Sequence, residues 1–443
     1  MSKVQLQSAD KNADLPFGWS VVPLAKMADK DKVNSFIDGD WIEARYIASE
    51  GIRLIQTGNI DVGRFKDKEK KRFVSEQTFD ELRCKEVYPG DILICRLADP
   101  IGRACIVPNT NERLITAVDV TIFRPEESKY SIDFLIQLLN YRGTLKEVSS
   151  YTSGSTRQRI SRSNLGNVVL AVPPLAEQSK IAAILKSVDD IIEKTTAIIK
   201  QTEILKRGLM QMLLKKGIGH TMFKQTEIGE IPTEWDVVKL SECANIKSGV
   251  TKGRKVNGQQ LISVPYLRVA NVQDGYLDLD EIKYIEVTSE ELHRYKLYDG
   301  DVLLTEGGDA DKLGRGYIWH NEVPNCIHQN HVFRVRTDAS ILLPEYFTYL
   351  AASPYGKRYF MGCAKQTTNL ASINSTQLKD FPVPLPSLTE QKHLAFIFST
   401  LDTKMNIERK TLKGLKTTKQ SLMQVLLTGK VRVNVDEPSE VTL

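Results

Sequence analysis

The chain has no pair of cysteines at the spacing of a zinc ribbon or a redox motif. Because no secretory apolar region stands near its first residue, we expect reduced thiols in a cytoplasmic protein. No apolar run approaches the roughly 20 residues that a membrane span needs. These absences argue against a disulfide-stapled secreted domain and against a membrane protein. The six cysteines are Cys84, Cys95, Cys105, Cys243, Cys326 and Cys363.

Catalytic motifs are missing as well. An amino-methyltransferase needs an Asn/Asp-Pro-Pro-Tyr/Phe loop, but the only Pro-Pro pair, Pro173-Pro174, opens a helix. The glycines around Gly307 and Gly314 fit neither the dinucleotide-binding nor the P-loop spacing. We therefore predict a chain without catalytic residues and without a cofactor of its own.

Two short sequence patterns could each indicate a metal site. Asp278, Glu281 and Lys283 match the acidic-x-Lys pattern of nucleases, and His328 with His331 could form a metal pair. The first pattern is short and lies in a charged stretch. If the second is a strand, its histidines point to opposite faces, and zinc would need further ligands. We favour surface charge and a structural strand, and predict no metal.

Length and charge set only broad limits. The 443 residues are enough for two to four domains, and 41% hydrophobic residues with 26% charged ones are ordinary for a globular protein. The formal net charge of +5 is a mild basic bias. It is compatible with nucleic acid but does not require it.

The strongest positive feature is a duplication. Residues 175–216 and 388–429 align without a gap at an offset of 213 residues, the distance from Leu175 to Leu388, and 13 of the 42 positions are identical. The preceding regions repeat more loosely, for example Leu15–Trp19 with Ile231–Trp235. Such a long repeat predicts two copies of one module related by an approximate dyad.

Each copy begins with short β-rich runs and ends in a long helix. In the first copy we predict strands near 51–55, 90–95, 104–107 and 118–123, then a short helix over 133–143. The second copy has a matching short helix at 343–353. The expected fold class is α+β, with two β-rich mixed domains in tandem, separated by two long helices. The expected segments are 1–14 (flexible tail), 15–173 (domain), 174–217 (helix), 218–386 (domain), 387–430 (helix) and 431–443 (tail).

The long helices carry an apolar seam at alternating steps of four and three residues, which is typical of a coiled coil. We expect the two helices to bury these seams against each other as an antiparallel pair. The alternative is that each helix packs only on its own domain. Ser387 to Glu390 predicts a capping box for the second helix. The seam residues are Ile181, Leu185, Val188, Ile192, Ile199, Leu209, Leu213, Leu394, Phe398, Leu401, Met405, Leu412, Leu415, Leu422 and Leu426.

Several polar clusters are candidates for nucleic-acid contact. Arginine can read guanine bidentately, while hydroxyl and amide groups can hold phosphate oxygens. The segment 153–164 carries three arginines, and its counterpart 365–372 keeps the polarity but has none. Taken singly, each cluster is better explained as a solvated charged loop than as a base reader. The candidates are Tyr151, Ser155, Thr156, Arg157, Arg159, Arg162, Lys252, Arg254, Lys255, Gln329, Asn330, Lys365, Gln366 and Asn369.

Over roughly residues 15–430, the chain resembles the specificity subunits of type I restriction–modification systems. The features that carry the resemblance are the Glu-Gln helix starts at 177–178 and 390–391, the Leu-Met-Gln-x-Leu-Leu ends, and the Leu-Pro-x-x-Trp and Gly-Asp-Ile/Val-Leu motifs. It implies two target recognition domains on an antiparallel coiled coil with pseudo-two-fold symmetry. It also implies double-stranded DNA, two modification subunits and two restriction–translocase subunits as partners. Methyl donor, magnesium and ATP are expected only on those partners.

Two other classes compete with this interpretation. A methyltransferase or nuclease acting alone would require catalytic loops, and incubation of the pure protein with DNA and a methyl donor discriminates it. A coiled-coil scaffold that never touches DNA would show no salt-dependent gel shift with random-sequence duplex.

Overall fold

A computed structural model describes residues 15–154, 158–254, 260–308, 313–366 and 371–435. The chain divides into two compact units, one of residues 1–195 with 411–443 and the other of residues 196–410. Each unit therefore contains one globular domain and one part of each long helix. No helix in the described part of the chain is both long and apolar enough to cross a lipid bilayer.

The globular part of the first unit is built on two four-stranded sheets. One is antiparallel, in the order Phe36–Asp38, Val120–Phe123, Ile92–Cys95 and Ala104–Ile106. The other has the order Phe73–Val74, Ile52–Ile55, Leu114–Thr116 and Glu86–Val87, and its central pair is parallel. The central strands are buried on both faces, which explains their unbroken apolar sequences. The remaining strands are Ser20–Pro23, Ile60–Asp61, Arg64–Phe65 and Val169–Val172.

The second unit repeats this topology. Its antiparallel sheet has the order Ala244–Ser248, Val332–Thr337, Val302–Thr305 and Gly316–Ile318. A second sheet has the order Lys283–Val287, Ile262–Leu267 and Ile327–His328, with a parallel pair at the matching place. The shared strand order supports the duplication inferred from the sequence. The remaining strands are Phe223–Thr226, Gly229–Pro232, Asp236–Lys239, Gly307–Gly308, Lys365–Gln366, Ala371–Ser372 and Pro382–Leu385.

A two-stranded ladder closes each domain directly before its long helix. Ser20–Pro23 pairs antiparallel with Val169–Val172, and Asp236–Lys239 pairs in the same way with Pro382–Leu385. The start and the end of each domain are therefore hydrogen-bonded together. In the second domain, which lies between the two long helices in the chain, this places the connections to both helices at one end.

Short helices cover the sheets. The predicted helix over 133–143 is wrong as one element, because two helices, Ile132–Leu139 and Arg142–Ser150, meet there. Asn140 interrupts the pattern by exchanging side-chain hydrogen bonds with the backbone of Ala104. The other short helices are Leu24–Met27, Ala44–Tyr46, Thr57–Asn59, Glu76–Leu82, Arg162–Gly166, Leu240–Cys243, Val269–Asn271, Ser289–Tyr295, Pro344–Ala352, Pro354–Cys363 and Ser375–Lys379.

The two long helices are Leu175–Lys216 and Leu388–Leu426, close to the predicted bounds. In the first unit their packed ends share a core with the domain, where Ile181 and Leu185 lie with Met423. Every residue of the predicted seam is buried or half-buried. At this end of the pair, the helices thus pack both on each other and on the domain.

All six thiols are free, and five of them are buried. Burial raises the pKa of Cys84 to about 11 and that of Cys105 to about 12. A thiol of this kind stays protonated and unreactive near neutral pH. The cysteines therefore act as small core residues.

Candidate nucleic-acid interface

Two short polar hairpins occupy the same place in the two domains. In the first domain, Ser153 and Arg159 exchange two backbone hydrogen bonds of 3.0 Å. In the second, Lys365–Gln366 pairs with Ala371–Ser372, which in turn pairs with Gly307–Gly308. Each hairpin adjoins the segment that follows a central strand of the antiparallel sheet. The two hairpins thus share a position in the fold, while their side chains differ.

The base of the first hairpin is anchored by a buried arginine. Arg96 is only 3% exposed, and its guanidinium donates to the carbonyl oxygens of Ile160 at 2.9 Å and Val118 at 2.6 Å. Asp38 supplies a carboxylate at 3.0 Å. This pairing matters because an unpaired buried charge would be strongly destabilising. The hairpin therefore projects from a rigid support.

The second hairpin has an acidic residue at the equivalent position. Glu306 receives a backbone hydrogen bond from Ile373, as Arg96 does from Ile160. The carboxylate of Glu306 lies 2.6 Å from Nδ1 of His331. The backbone frame is thus shared, while the charge beneath the hairpin is reversed.

Two of the predicted arginines of the first domain, Arg159 and Arg162, lie on or beside its hairpin. Arg159 is half-exposed and forms an ion pair of 2.8 Å with Asp119. Arg162 is exposed at the first position of the helix Arg162–Gly166. Tyr151 is half-buried and directly follows the helix Arg142–Ser150. The other candidates of this segment, Ser155, Thr156 and Arg157, lie outside the described residues.

The candidates of the second domain are more scattered. Lys252 is exposed in a turn, whereas the guanidinium of Arg254 is held by Glu291 at 2.5 and 2.6 Å. That ion pair weighs against DNA contact by Arg254, which stays a prediction. Gln329 and Asn330 are half-buried in the segment next to His331. Lys365 and Gln366 form a hairpin strand, while Lys255 and Asn369 lie outside the described residues.

The two histidines considered as a metal pair do not face each other. His328 is fully buried, its Nδ1 lies 2.6 Å from the carbonyl oxygen of Val332, and burial lowers its pKa to about 4. His331 is exposed and faces Glu306. Glu281 of the nuclease-like pattern pairs with Arg268 at 3.0 Å. Among the described residues, no group of three or more His, Cys, Asp or Glu side chains could hold a metal ion.

The glutamine of the Glu-Gln motif clamps each long helix to its domain, a role that sequence reasoning missed. Gln178 is 1% exposed, accepts a hydrogen bond from the backbone of Ser131, and donates to the carbonyls of Lys129 and Pro173. Gln391 is fully buried and makes the equivalent three bonds. All six partners are main-chain atoms. The only sequence signal was the identity of the two motifs.

The neighbouring glutamate secures the segment that follows the other helix. The carboxylate of Glu390 accepts from the backbone of Ile218 at 2.9 Å and from Nε1 of Trp235 at 3.0 Å, and lies 3.0 Å from His220. In the first unit, Glu177 instead binds Arg432 at 2.7 and 2.8 Å. The predicted capping box of the second helix is therefore only half formed, and the part assigned to the Glu390 side chain is wrong. Ser387 does accept from the backbone of Glu390, but that glutamate serves other partners.

An ion pair between the long helices recurs at matched positions. Lys419 lies 2.7 Å from Asp189 in the first unit, and Lys206 lies 2.6 Å from Asp402 in the second. Each aspartate also accepts a hydrogen bond from the domain of its own unit. Together with the contacts of the Glu-Gln motif, these pairs show antiparallel helices within each unit. Partly buried pairs of this kind fix register more than they add stability.

Comparisons with known proteins place these features in context. A family model described as the type I restriction modification DNA specificity domain matches residues 41–203 and 232–417. Over 324 residues, the chain is 31% identical to the type I restriction enzyme MjaVIII specificity subunit of Methanocaldococcus jannaschii, covering 71% of this chain and 74% of that one. Over 440 residues, it is 24% identical to the EcoKI specificity subunit of Escherichia coli K12, covering 94% and 90%.

Solved structures agree on the fold. A chain from a study of complex assembly and conformational transition of the type I R-M system superposes with a TM-score of 0.57 at 16% identity, covering 94% of this chain and 100% of that one. The S subunit of a type I system from M. genitalium gives a TM-score of 0.55 at 14% identity, covering 93% and 96%. At such low identity the likeness speaks for the fold alone.

Proposed function

Because the chain belongs to the family of type I restriction modification DNA specificity domains, we propose that it is the DNA-reading subunit of such a system. Each domain reads one half of an asymmetric, gapped target, and the long helices set the gap. The observation that carries this proposal is the pair of matched hairpins whose side chains differ. A duplicated frame with divergent loops is suited to two different half-sites.

The proposed division of labour leaves the chemistry to partners. Two modification subunits, which carry the methyl donor, and two restriction–translocase subunits, which use ATP and magnesium, dock on the helical regions. The chain itself is non-catalytic and acts in the cytoplasm. Matches to specificity subunits over most of the chain support this proposal.

Exchange of one domain is the decisive experiment. Replacing residues 15–172 by the first recognition domain of another specificity subunit should change one half of the methylated sequence and leave the other half intact. Mapping methylated adenines in the host genome measures this, and replacing residues 218–386 is the matched control for the opposite half. The proposal fails if the modified sites are continuous or if one exchange alters both halves.

The gap should follow the length of the helices. At ~1.5 Å per residue, the 42 residues of Leu175–Lys216 extend over about 63 Å. This lies between one and two turns of B-DNA, since a turn is about 34–36 Å. We infer that the two domains contact DNA between one and two turns apart and that each covers a few base pairs, which leaves an unspecified spacer between the half-sites. Insertion of residues into both helices should change the length of this spacer.

The hairpin arginines provide a second prediction. Changing Arg157, Arg159 and Arg162 together to alanine should weaken target binding. A bidentate base contact contributes about 1–3 kcal/mol of binding free energy, and a phosphate contact contributes affinity on DNA of any sequence. Loss of a base contact also relaxes one position of the first half-site. Binding assays and methylation mapping report the two effects separately. Arg142→Ala, an exposed arginine of the same domain, is the control. Unchanged affinity and unchanged pattern would reduce the segment to a solvated loop.

A further inference from the structure

The two domains carry the same surface loop with opposite charge. In the first domain, residues 61–72 contain six lysines and arginines against three carboxylates. The matching residues 273–283 of the second domain contain four carboxylates and one lysine. Loops of one origin have thus diverged to a net charge of about +3 and about −3.

Backbone contacts establish that the loops correspond. Asn59 and Lys66 exchange two hydrogen bonds, from the asparagine side chain to the Lys66 carbonyl and from the Lys66 amide to the Asn59 carbonyl. Asn271 and Asp278 make the same two bonds. Lys66 therefore stands where the second domain has Asp278. By the same register, Lys68 stands where it has Asp280.

Most of the positive charge in the first loop is not neutralised by the protein. Asp67 is taken by the buried guanidinium of Arg53, and Lys71 is paired with Glu112 at 3.0 Å. The other five cations are exposed and have no carboxylate of the described residues within 4 Å. They are Arg64, Lys66, Lys68, Lys70 and Arg72. Crowded like charges repel one another, and a bound polyanion relieves that repulsion.

The loop is rigidly joined to the arginine hairpin of the same domain. The buried side chain of Arg103 donates to the carbonyls of Thr57 and Ile60, at 3.0 and 2.7 Å, directly before the loop. It also donates to the carbonyl of Ala98 at 2.7 Å. Leu97, next to Ala98, pairs with Arg159 of the hairpin. Arg103 therefore ties the start of the basic loop to the segment that pairs with the hairpin.

We propose that loop 61–72 binds the phosphodiester backbone of DNA beside the half-site read by the first domain, and supplies most of the salt-dependent affinity. In loop 273–283, Asp274 is paired with Lys357 and Glu281 with Arg268. The loop makes no phosphate contact, because its two remaining carboxylates, Asp278 and Asp280, repel the backbone. The second domain then contributes chiefly through base contacts. This inference rests on the proposed function and assigns the two domains unequal tasks.

Salt dependence tests the inference, because each phosphate contact changes the slope of log affinity against log salt by about 0.9. The full-length chain with Lys66→Gln, Lys68→Gln and Lys70→Gln should bind a random-sequence duplex with a slope reduced by up to about 2.7. Asp278→Asn with Asp280→Asn is the matched control at the equivalent loop. It also changes net charge, but it should leave the slope as in the wild type.

Two outcomes overturn the inference. One is a triple variant that folds, as judged by its melting temperature, and keeps the wild-type slope. The other is an equal change of slope in the control. If the triple variant keeps the slope but no longer assembles with the modification subunits, the loop binds an acidic protein surface instead. Failure of the proposed function is distinguished by the domain exchange, whose methylation readout is independent of this slope.

Discussion

The chain with Leu185→Asp and Leu401→Asp is expected to lose its folded structure. Leu185 is completely buried in the core of the first unit, and Leu401 is half-buried in the second. Loss of a buried leucine side chain alone costs about 2–5 kcal/mol. An unpaired carboxylate at such a site adds several more. The sum of these costs approaches the whole free energy of unfolding of a domain, which is roughly 5–15 kcal/mol.

Urea unfolding of each single variant and of the pair measures this effect. Ser187→Asp and Thr403→Asp are the controls, since both residues are exposed and lie two positions further along the same helices. These controls should shift the midpoint by little. If the double leucine variant melted like the wild type, the seam would be assigned incorrectly.

The second large effect is expected from the buried glutamines. Gln391→Ala removes three hydrogen bonds and leaves the Leu343 amide and the carbonyls of Ile341 and Pro386 without these partners. A net hydrogen bond contributes about 1 kcal/mol and an unsatisfied buried group costs about 1–3 kcal/mol. The free energy of unfolding should therefore fall by about 3 kcal/mol or more. Gln178→Ala should act alike in the first unit.

The glutamate variant sharpens this experiment. Gln391→Glu keeps the shape of the side chain but loses both donated hydrogen bonds. At neutral pH it should therefore lower the free energy of unfolding at least as much as Gln391→Ala does. The controls are Gln424→Ala and Gln211→Ala, which change exposed glutamines of the same helices. Equal denaturation curves for Gln391→Ala and Gln424→Ala would contradict the clamp.

Local periodicity was sufficient to predict the long helices, because apolar residues that recur at a fixed spacing within one segment indicate a helix. The capping box failed for the opposite reason. Its local pattern is present, but Glu390 is recruited by Trp235 and His220, which lie more than 150 residues earlier. Likewise, the sequence around Arg254 does not predict its ion pair with Glu291. Long-range partners of this kind become visible only in the fold.

The candidate interface was predicted in part. Comparing the copies located the hairpin of Arg159, since a shared position with different side chains can be seen in the sequence alone. The charge reversal between loops 61–72 and 273–283 was equally present in the sequence. It was missed because the offset drifts between copies, and the backbone bonds of Asn59 and Asn271 were needed to align them.

The glutamine clamp has a consequence for how new specificities can arise. Because Gln178 and Gln391 grip main-chain atoms only, the clamp places no demand on the side chains of the domain it holds. Mutation can therefore rewrite the surface of either domain while its attachment to the helix stays intact. The DNA sequence that a domain recognises can therefore change over evolution while every intermediate protein keeps its domain attached to the helix.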